Sequence, residues 1–340
     1  RHTRGLGSLA GQNGDQVLEI KASKNRIEAW PKFDIAKPAC TRQTIQMTEV
    51  LCIGSVLWDV IGRASAVMRV GSDVPGRITR LPGGVAMNIA MTLRRFDMKP
   101  VLLTAIGRDE EGDELIESAK RLGLLVDHVY RSDDLPTDVY MAVEGANGLI
   151  AAIADAHSLE AAGDKILKPL EDGRLGDKTA PYTGQIALDG NLTEALLATI
   201  AQSPLFALAD LRVAPASPGK AERLLPLLAA QNATIYVNLE EAGLLGQSAF
   251  PDAPTAAAAL LSRGAAQVLV TDGGKTAAHA NKDGVLTATP PEVLVTRITG
   301  AGDTFMAAHI AADVRGETAE QALKTALQAA ANYVSGDVPS

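Results

Sequence analysis

The sequence predicts an α/β protein of three layers, α/β/α, with a mostly parallel central sheet and a small β lid. Three observations carry this. From residue 49 onward, short apolar runs alternate with helical patterns, as strands joined by crossover helices do. The strand-like runs are apolar on consecutive residues, which suits a sheet covered on both faces. Two stretches, 63–81 and 136–156, break the alternation with β character of their own.

The first strand is Val50-Leu51-Cys52-Ile53, ended by Gly54. Further strands are expected at Val101 to Ile106, Gln185 to Leu188, Leu205 to Ala209, Thr234 to Val237 and Gln267 to Val270. Between them, helices are expected at Met87 to Arg95, Asp113 to Leu122, Leu192 to Ala201, Pro218 to Ala230 and Thr255 to Arg263. Val139 to Val143 and Leu149 to Ile153 flank a glycine-containing turn and form a hairpin. This hairpin and the 63–81 stretch make the lid, placed over the carboxyl ends of the strands, where open α/β sheets bind ligands. Residues 1–48 lack periodicity and are expected to be an N-terminal extension, partly disordered; residues 49–340 form the main domain.

Composition narrows the function. With 340 residues, 46% of them hydrophobic, the chain can bury a large core. A net charge of -8 argues against nucleic acid as a partner, since that needs a clustered basic face. No apolar run approaches the roughly 20 residues that span a bilayer. Cys40 and Cys52 form no CxxC pair, so neither a disulfide framework nor a thiolate zinc site is supported, and the cytoplasm is the expected compartment. The five histidines show no metal-ligand spacing, and no GxSxG elbow is present.

The most informative motif is Thr299-Gly300-Ala301-Gly302-Asp303, between a strand-like run and an alanine-rich helix. Gly300, Ala301 and Gly302 let backbone N–H groups approach an anion at a helix N-terminus, and Asp303 stands there to take a proton. Earlier, Pro82-Gly83-Gly84 leads into a helix bearing Asn88; this is either a hydroxyl-binding surface or an ordinary loop-to-helix turn. Asp59, past the first strand, is either a bidentate acceptor for a sugar diol or a surface carboxylate. Asn238 and Glu241, three apart at a strand end, either order magnesium through water or cap the helix. Thr271-Asp272-Gly273-Gly274-Lys275-Thr276 is not a Walker loop, because GxxxxGK[ST] needs a glycine where Leu269 stands. It is a strand-end turn beside a nucleotide, through Thr271 and Gly273, or a plain hairpin.

In this order, a glycine pair with Asn, an NxxE and a late GAGD resemble the ribokinase-like, or PfkB, family of carbohydrate and nucleoside kinases, from about Glu49 to the C-terminus. The resemblance implies that Asp303 is the catalytic base, Gly300, Ala301 and Gly302 the anion hole, and Asp59, Gly83, Gly84 and Asn88 the substrate contacts. It assigns Asn238 and Glu241 to Mg²⁺, and implies ATP as donor, a monovalent cation such as K⁺, and a homodimer through the lid. Tyr140 to Glu144, Ile153 to Ala156 and Ile186 to Asn191 are most similar to pseudouridine kinases, and Val85 replaces the lysine usual in ribokinases. The expected reaction is therefore ATP-dependent phosphorylation of pseudouridine at its 5′ hydroxyl. The alternatives are another sugar or nucleoside kinase of this family, of ribose, fructose or adenosine type, and a catalytically silent nucleoside-binding regulator. Leu57 stands where relatives often have Asn, Thr276 replaces the second glycine of a TxGxxG turn, and Arg297 replaces the acid of DxTGAGD. A nicotinamide-dependent dehydrogenase would need GxGxxG after the first strand, where Gly54-Ser55-Val56-Leu57 stands.

Overall fold

The computed structural model describes residues 47–69, 71–297 and 299–336, all within one compact unit. The expected extension, apart from Met47 and Thr48, lies outside the described residues. Along the chain the elements are β1 (Glu49–Ile53), β2 (Leu57–Arg63), β3 (Arg77–Gly83), α1 (Val85–Arg95), β4 (Lys99–Leu103), β5 (Ala105–Gly107) and α2 (Glu110–Arg121). Then come β6 (Tyr130–Ser132), β7 (Val139–Gly145), β8 (Gly148–Asp155), α3 (Ser158–Ala162), β9 (Gln185–Asp189), α4 (Glu194–Gln202), β10 (Asp210–Ala214) and α5 (Leu225–Leu228). The last are β11 (Ala233–Asn238), α6 (Leu239–Gly246), α7 (Ala253–Ser262), β12 (Gln267–Thr271), β13 (Ala277–Asn281), β14 (Gly284–Ala288), α8 (Ala301–Val314) and α9 (Ala319–Ser335).

Eight strands make the central sheet, in the order β14-β13-β12-β11-β10-β9-β1-β4. The six from β12 to β4 are parallel, while β13 runs antiparallel to both its neighbours. Alternation along β1 shows why both faces are covered. Leu51 and Ile53 face the core shared with α3, α4, α5, α6 and α7, whereas Val50 and Cys52 face α1, α2, α8 and α9. Because parallel strands end at one edge, Gly54, Asp189, Asn238 and the Asp272 turn all emerge on the same side.

A second sheet of four strands, β3-β2-β7-β8, contains the expected hairpin and the two ends of the 63–81 stretch, whose described middle, 64–69 and 71–76, forms no strand. It begins earlier than the sequence suggested, at Leu57, so Asp59 lies within β2 of this sheet and not in a loop.

Several boundaries differ. The run Val101 to Ile106 splits: Leu103 ends β4, and Ala105 and Ile106 leave the main sheet to pair with β6. The expected strand at Leu205 to Ala209 is wrong. Pro204 opens a 3₁₀ turn capped by Ser203, and the strand is the next segment, Asp210–Ala214. Its centre is Arg212, 3% exposed, which donates to Asp210, Asp313 and the Tyr236 hydroxyl. The expected helix from Pro218 to Ala230 is a 3₁₀ turn over Pro218–Leu224 followed by the four-residue α5, because Pro226 cannot donate its backbone N–H. The hairpin β13–β14 and the long helix α9 had no counterpart in the sequence reading.

Arg212 is the clearest energetic commitment in this core. Removing it leaves the buried Tyr236 hydroxyl without its cationic donor, while Asp210 and Asp313, 37% and 42% exposed, are left to water. Leaving a buried polar group without its partner costs about 1–3 kcal/mol. Arg212→Ala should therefore lower the free energy of unfolding by about that amount in a urea titration. A loss below about 1 kcal/mol would show that the network contributes only surface charge pairing.

Candidate active site

α8 carries nine consecutive buried residues, Thr304 to Ala312, so it is enclosed on all sides, by α9 and α1 among others. Most of those residues are small, which lets α1 approach closely. That approach brings Asn88, in the second turn of α1, to Asp303, in the first turn of α8. The Asn88 Nδ2 donates to Asp303 Oδ2 at 2.9 Å across 215 positions of sequence. The glycine-asparagine motif and the late aspartate thus meet in one cleft.

The N-terminus of α8 is open. Gly300 is its cap, at φ 89°, and no side chain bonds the first amides. The N–H groups of Ala301, Gly302 and Asp303 are free to point at an anion, reinforced by the helix dipole. Gly300 is required twice over: its φ is left-handed, and a Cβ there would crowd the Tyr333 hydroxyl. That hydroxyl donates to Thr299 O at 2.9 Å, and the Arg297 guanidinium stacks 3.9 Å from the Tyr333 ring while donating to its carbonyl. The end of α9 therefore clamps the segment leading into α8.

On the acceptor side, Gly83 and Gly84 are explained by close approach. A Cβ on Gly83 would overlap the Asp59 carboxylate, and one on Gly84 would overlap the Ser55 carbonyl. Burial pushes the Asp59 carboxyl up to about 6. Tyr140 is paired with Asp59 in register and is half-buried beside it; burial and the Asp59 and Glu144 charges raise its phenol above the ordinary value.

Asn238 and Glu241 form a capping box on α6. Glu241 N–H donates to Asn238 Oδ1 at 2.9 Å, and Asn238 N–H donates to Glu241 Oε2 at 2.8 Å. The helix-cap alternative is thus realised, while Asn238 Nδ2 and Glu241 Oε1 keep no protein hydrogen bond among the described residues. Glu241 is buried, and burial raises its carboxyl above the usual range. Thr271 pairs with Asn238 in the sheet, and Gly273, at φ 56°, lies in the turn joining β12 to β13 with open space above it. The turn joins β12 to β13 as a hairpin. Among the described residues no cluster of His, Cys, Asp or Glu could hold a metal by itself.

The base candidate has an unusual charge environment. Asp303 is partly open to solvent at the cleft, yet the surrounding protein strips much of its hydration, pushing its carboxyl up to about 7. Asn88 pulls it down; the charges of Asp189, Asp59 and Glu241 push it further up.

Sequence reasoning missed Ser55, Asp189 and Asn191 as members of this site. Asp189 ends β9 fully buried and accepts from Ser55 N, Ser55 Oγ and Asn191 N at 2.7, 2.5 and 2.7 Å. A carboxylate closing an apolar strand and followed by Gly-Asn was the available signal.

Solved structures that share this fold include a ribokinase and a carbohydrate kinase. Ribokinase of Arabidopsis thaliana, determined with ribose and ATP, aligns with a TM-score of 0.69 at 21% identity, over 86% of this chain and 94% of that one. A carbohydrate kinase from Agrobacterium tumefaciens aligns at 0.72 and 24% identity, over 86% and 94%. The architecture is therefore the ribokinase-like fold. At the level of sequence, the profile of the pfkB family of carbohydrate kinases matches residues 47–336, and the chain belongs to that family. It is a kinase acting on a sugar or nucleoside hydroxyl. Relatives include an uncharacterized sugar kinase of Escherichia coli (strain K12), 30% identical over 82% of this chain and 76% of that protein. The pseudouridine kinase of the same organism is 28% identical over 76% and 81%, and the guanosine-inosine kinase of Exiguobacterium acetylicum is 26% identical over 85% and 95%.

A raised carboxyl pKa means that ionisation is penalised in the folded state. The native protein holds the Asp303 proton up to about pH 7, whereas the unfolded chain releases it near 3.8, so stability declines between those values as pH rises. Asp303→Asn removes the penalty. Its melting temperature should exceed that of the wild type at pH 8 and converge with it at pH 4; a variant less stable at pH 8 would refute the charge assignment.

Proposed function

We propose that this protein transfers the γ-phosphoryl group of ATP to the primary hydroxyl of a nucleoside, and that the substrate is pseudouridine, giving pseudouridine 5′-phosphate. The observation that carries the reading is the Asn88–Asp303 hydrogen bond, which joins the acceptor loop to the base in one cleft. Asp303 takes the proton of the attacking hydroxyl, and a carboxyl near 7 is matched to that task at neutral pH. The amides of Gly300, Ala301 and Gly302 receive the spreading negative charge of the transfer. Asp59 reads the ribose diol, with Gly83, Gly84 and Asn88 lining the approach. Tyr140, beside Asp59, offers an aromatic face to a base, which favours a nucleoside over a free sugar.

Thr271 and Gly273 border the nucleotide, where the turn is open. The unbonded Glu241 Oε1 and Asn238 Nδ2 fit water molecules of a hydrated Mg²⁺, an ion that keeps several waters. When bound, that ion supplies neutralising charge to the phosphates. A monovalent cation such as K⁺ belongs to the same reading, tested by assays with and without it. The four-stranded sheet acts as a lid that excludes water from the phosphoryl group. Cytoplasmic location accords with Cys52 being buried and free, and no described helix is long and apolar enough to cross a membrane.

Ile78, Met141 and Ile153 share one face of the four-stranded sheet and are 78%, 44% and 62% exposed. This patch supports a homodimer through the lid. Ile153→Asp should convert a dimer to a monomer by light scattering; a wild-type monomer at micromolar concentration would remove the dimer from the proposal.

The decisive assay presents ATP with pseudouridine, uridine, adenosine, guanosine, inosine, ribose and fructose. Pseudouridine should give the highest kcat/KM, with an acid limb near pH 7. Asp303→Asn should lower kcat by about 10²–10⁴-fold with little change in acceptor KM. Preference for another acceptor moves the assignment to a different kinase of the family. Thermal stabilisation by nucleosides without ADP release would identify a silent regulator.

A further inference from the structure

We infer that Asp189 is a positioning residue for the acceptor side of the site: it anchors Ser55, and Ser55 in turn fixes the N-terminus of α1, which carries Gly84 and Asn88 to the reacting hydroxyl. The argument starts from an unusual helix start. α1 has Gly84 at its cap position and no local side chain bonded to its first amides. Its cap comes instead from Ser55, distant in sequence. Val85 N–H donates to Ser55 Oγ at 2.9 Å, and Met87 N–H donates to the Ser55 carbonyl at 3.3 Å. Ser55 thus replaces the capping side chain that Gly84 lacks, and Gly84 has none because its Cβ position is filled by the Ser55 backbone.

Ser55 can do this only if its hydroxyl proton points away from α1, leaving an oxygen lone pair for Val85. Asp189 enforces that direction. Its Oδ2 accepts from both Ser55 N–H and Ser55 Oγ, so the hydroxyl proton is committed to Asp189 and the lone pairs are turned to Val85 N–H and to Asn191 Nδ2, at 3.1 Å. Oδ1 accepts from Asn191 N–H, and Asn191 Nδ2 also reaches Oδ2, at 3.2 Å. Every group facing Asp189 is therefore a donor, and the bonds suit the ionised carboxylate alone. Lys220 donates to Asn191 Oδ1 and brings a positive charge to the far side of the same network.

Asp189 has no exposure, so it does not touch substrate; it acts through Ser55. The site leaves no latitude in its position. A Cβ on Gly54 would overlap the Asp189 side chain, which is why the turn after β1 is Gly-Ser. Asparagine at 189 would have nearly the same shape, but its NH₂ group would face a donor. With the NH₂ toward Ser55, both the Ser55 N–H and the Ser55 hydroxyl lose their acceptor, and the hydroxyl is free to turn toward α1 and repel Val85 N–H. With the NH₂ toward Asn191, the Asn191 N–H faces a donor, and the residue that also bonds Ser55 Oγ is displaced. Asn88 would then move relative to Asp303, where a displacement of about 1 Å costs on the order of 10²-fold in rate.

The test uses full-length Asp189→Asn, Ser55→Ala and the double variant, with Asp138→Asn as comparison. Asp138 is also buried and accepts amides of a helix start, Ser158 and Leu159 on α3, so it reports what loss of a structural carboxylate does by itself. For Asp189→Asn we expect kcat/KM for the acceptor to fall about 100-fold while KM for ATP changes less than about threefold. The acid limb of the pH profile should also move to lower pH, because one of the charges that holds the Asp303 proton is gone. Ser55→Ala should give a loss of the same order, and the double variant should be no worse than the more severe single change, since the two act as one unit. The kinetic readout rests on the kinase reading proposed above. Amide exchange does not: in both single variants, protection should drop in a peptide spanning 83–90 and persist in 304–312, whether or not any acceptor is phosphorylated. Equal loss against acceptor and ATP, additive single effects, or unchanged exchange at 83–90 would overturn the inference. If Asp189→Asn does not fold, Ser55→Ala alone decides, as it deletes a single oxygen.

Discussion

The structure depends on how closely two helices can pack. α8 is buried over nine consecutive residues, four of them alanine, and packs directly against α1. A leucine-rich α8 would hold the helix axes further apart, since interaxial distance follows the side chains at the contact. Asn88 reaches Asp303 across this contact. The Gly83-Gly84 turn before α1 and the open N-terminus of α8 are therefore held together by one packing contact.

The same convergence crowds acids together. Asp59, Asp189, Glu241 and Asp303 influence one another at the edge of the sheet. What separates their roles is the supply of donors. Asp189 is surrounded by them, and its hydrogen bonds oppose the upward push of complete burial. Glu241 holds the Asn238 amide. Asp303 has Asn88 alone against desolvation and three like charges, and desolvation wins, leaving its carboxyl near 7. The least compensated carboxylate is the one placed at the free amides of α8, as expected where a base must operate at neutral pH.

Much of this was legible along the chain because the signals are local. Apolar runs identified β1, β9, β11 and β12, and breaker residues placed the glycine turns before α1 and α8. The failures share a cause. β10 was displaced onto Leu205 to Ala209 because Arg212 interrupts the apolar run that actually forms the strand; its ion pairs with Asp210 in the same strand and with Asp313 on α8 make a buried arginine tolerable, and the second of these partners comes from elsewhere in the fold. β13 is Ala-Ala-His-Ala-Asn, without a strong β pattern, and β14 is a short edge strand beginning at Gly284; pairing decides both. Asn238 and Glu241 showed the right spacing for a helix cap and for a hydrated ion alike, and the cap bonds are present.

By itself the sequence determined which residue types could do chemistry here: a carboxylate at a helix start behind Gly-Ala-Gly, a paired glycine before an asparagine, and an alternation that forces a sheet with one reactive edge. Those are properties of neighbours in the chain, fixed by backbone sterics and hydrophobic period. The tertiary structure alone decided that Asn88 touches Asp303, that Ser55 caps α1 from a different strand end, and that Asp189 lies beneath both. Such contacts join residues 30 to 215 positions apart, and no local rule reaches that far: their geometry follows from side-chain volumes summed through a packed core.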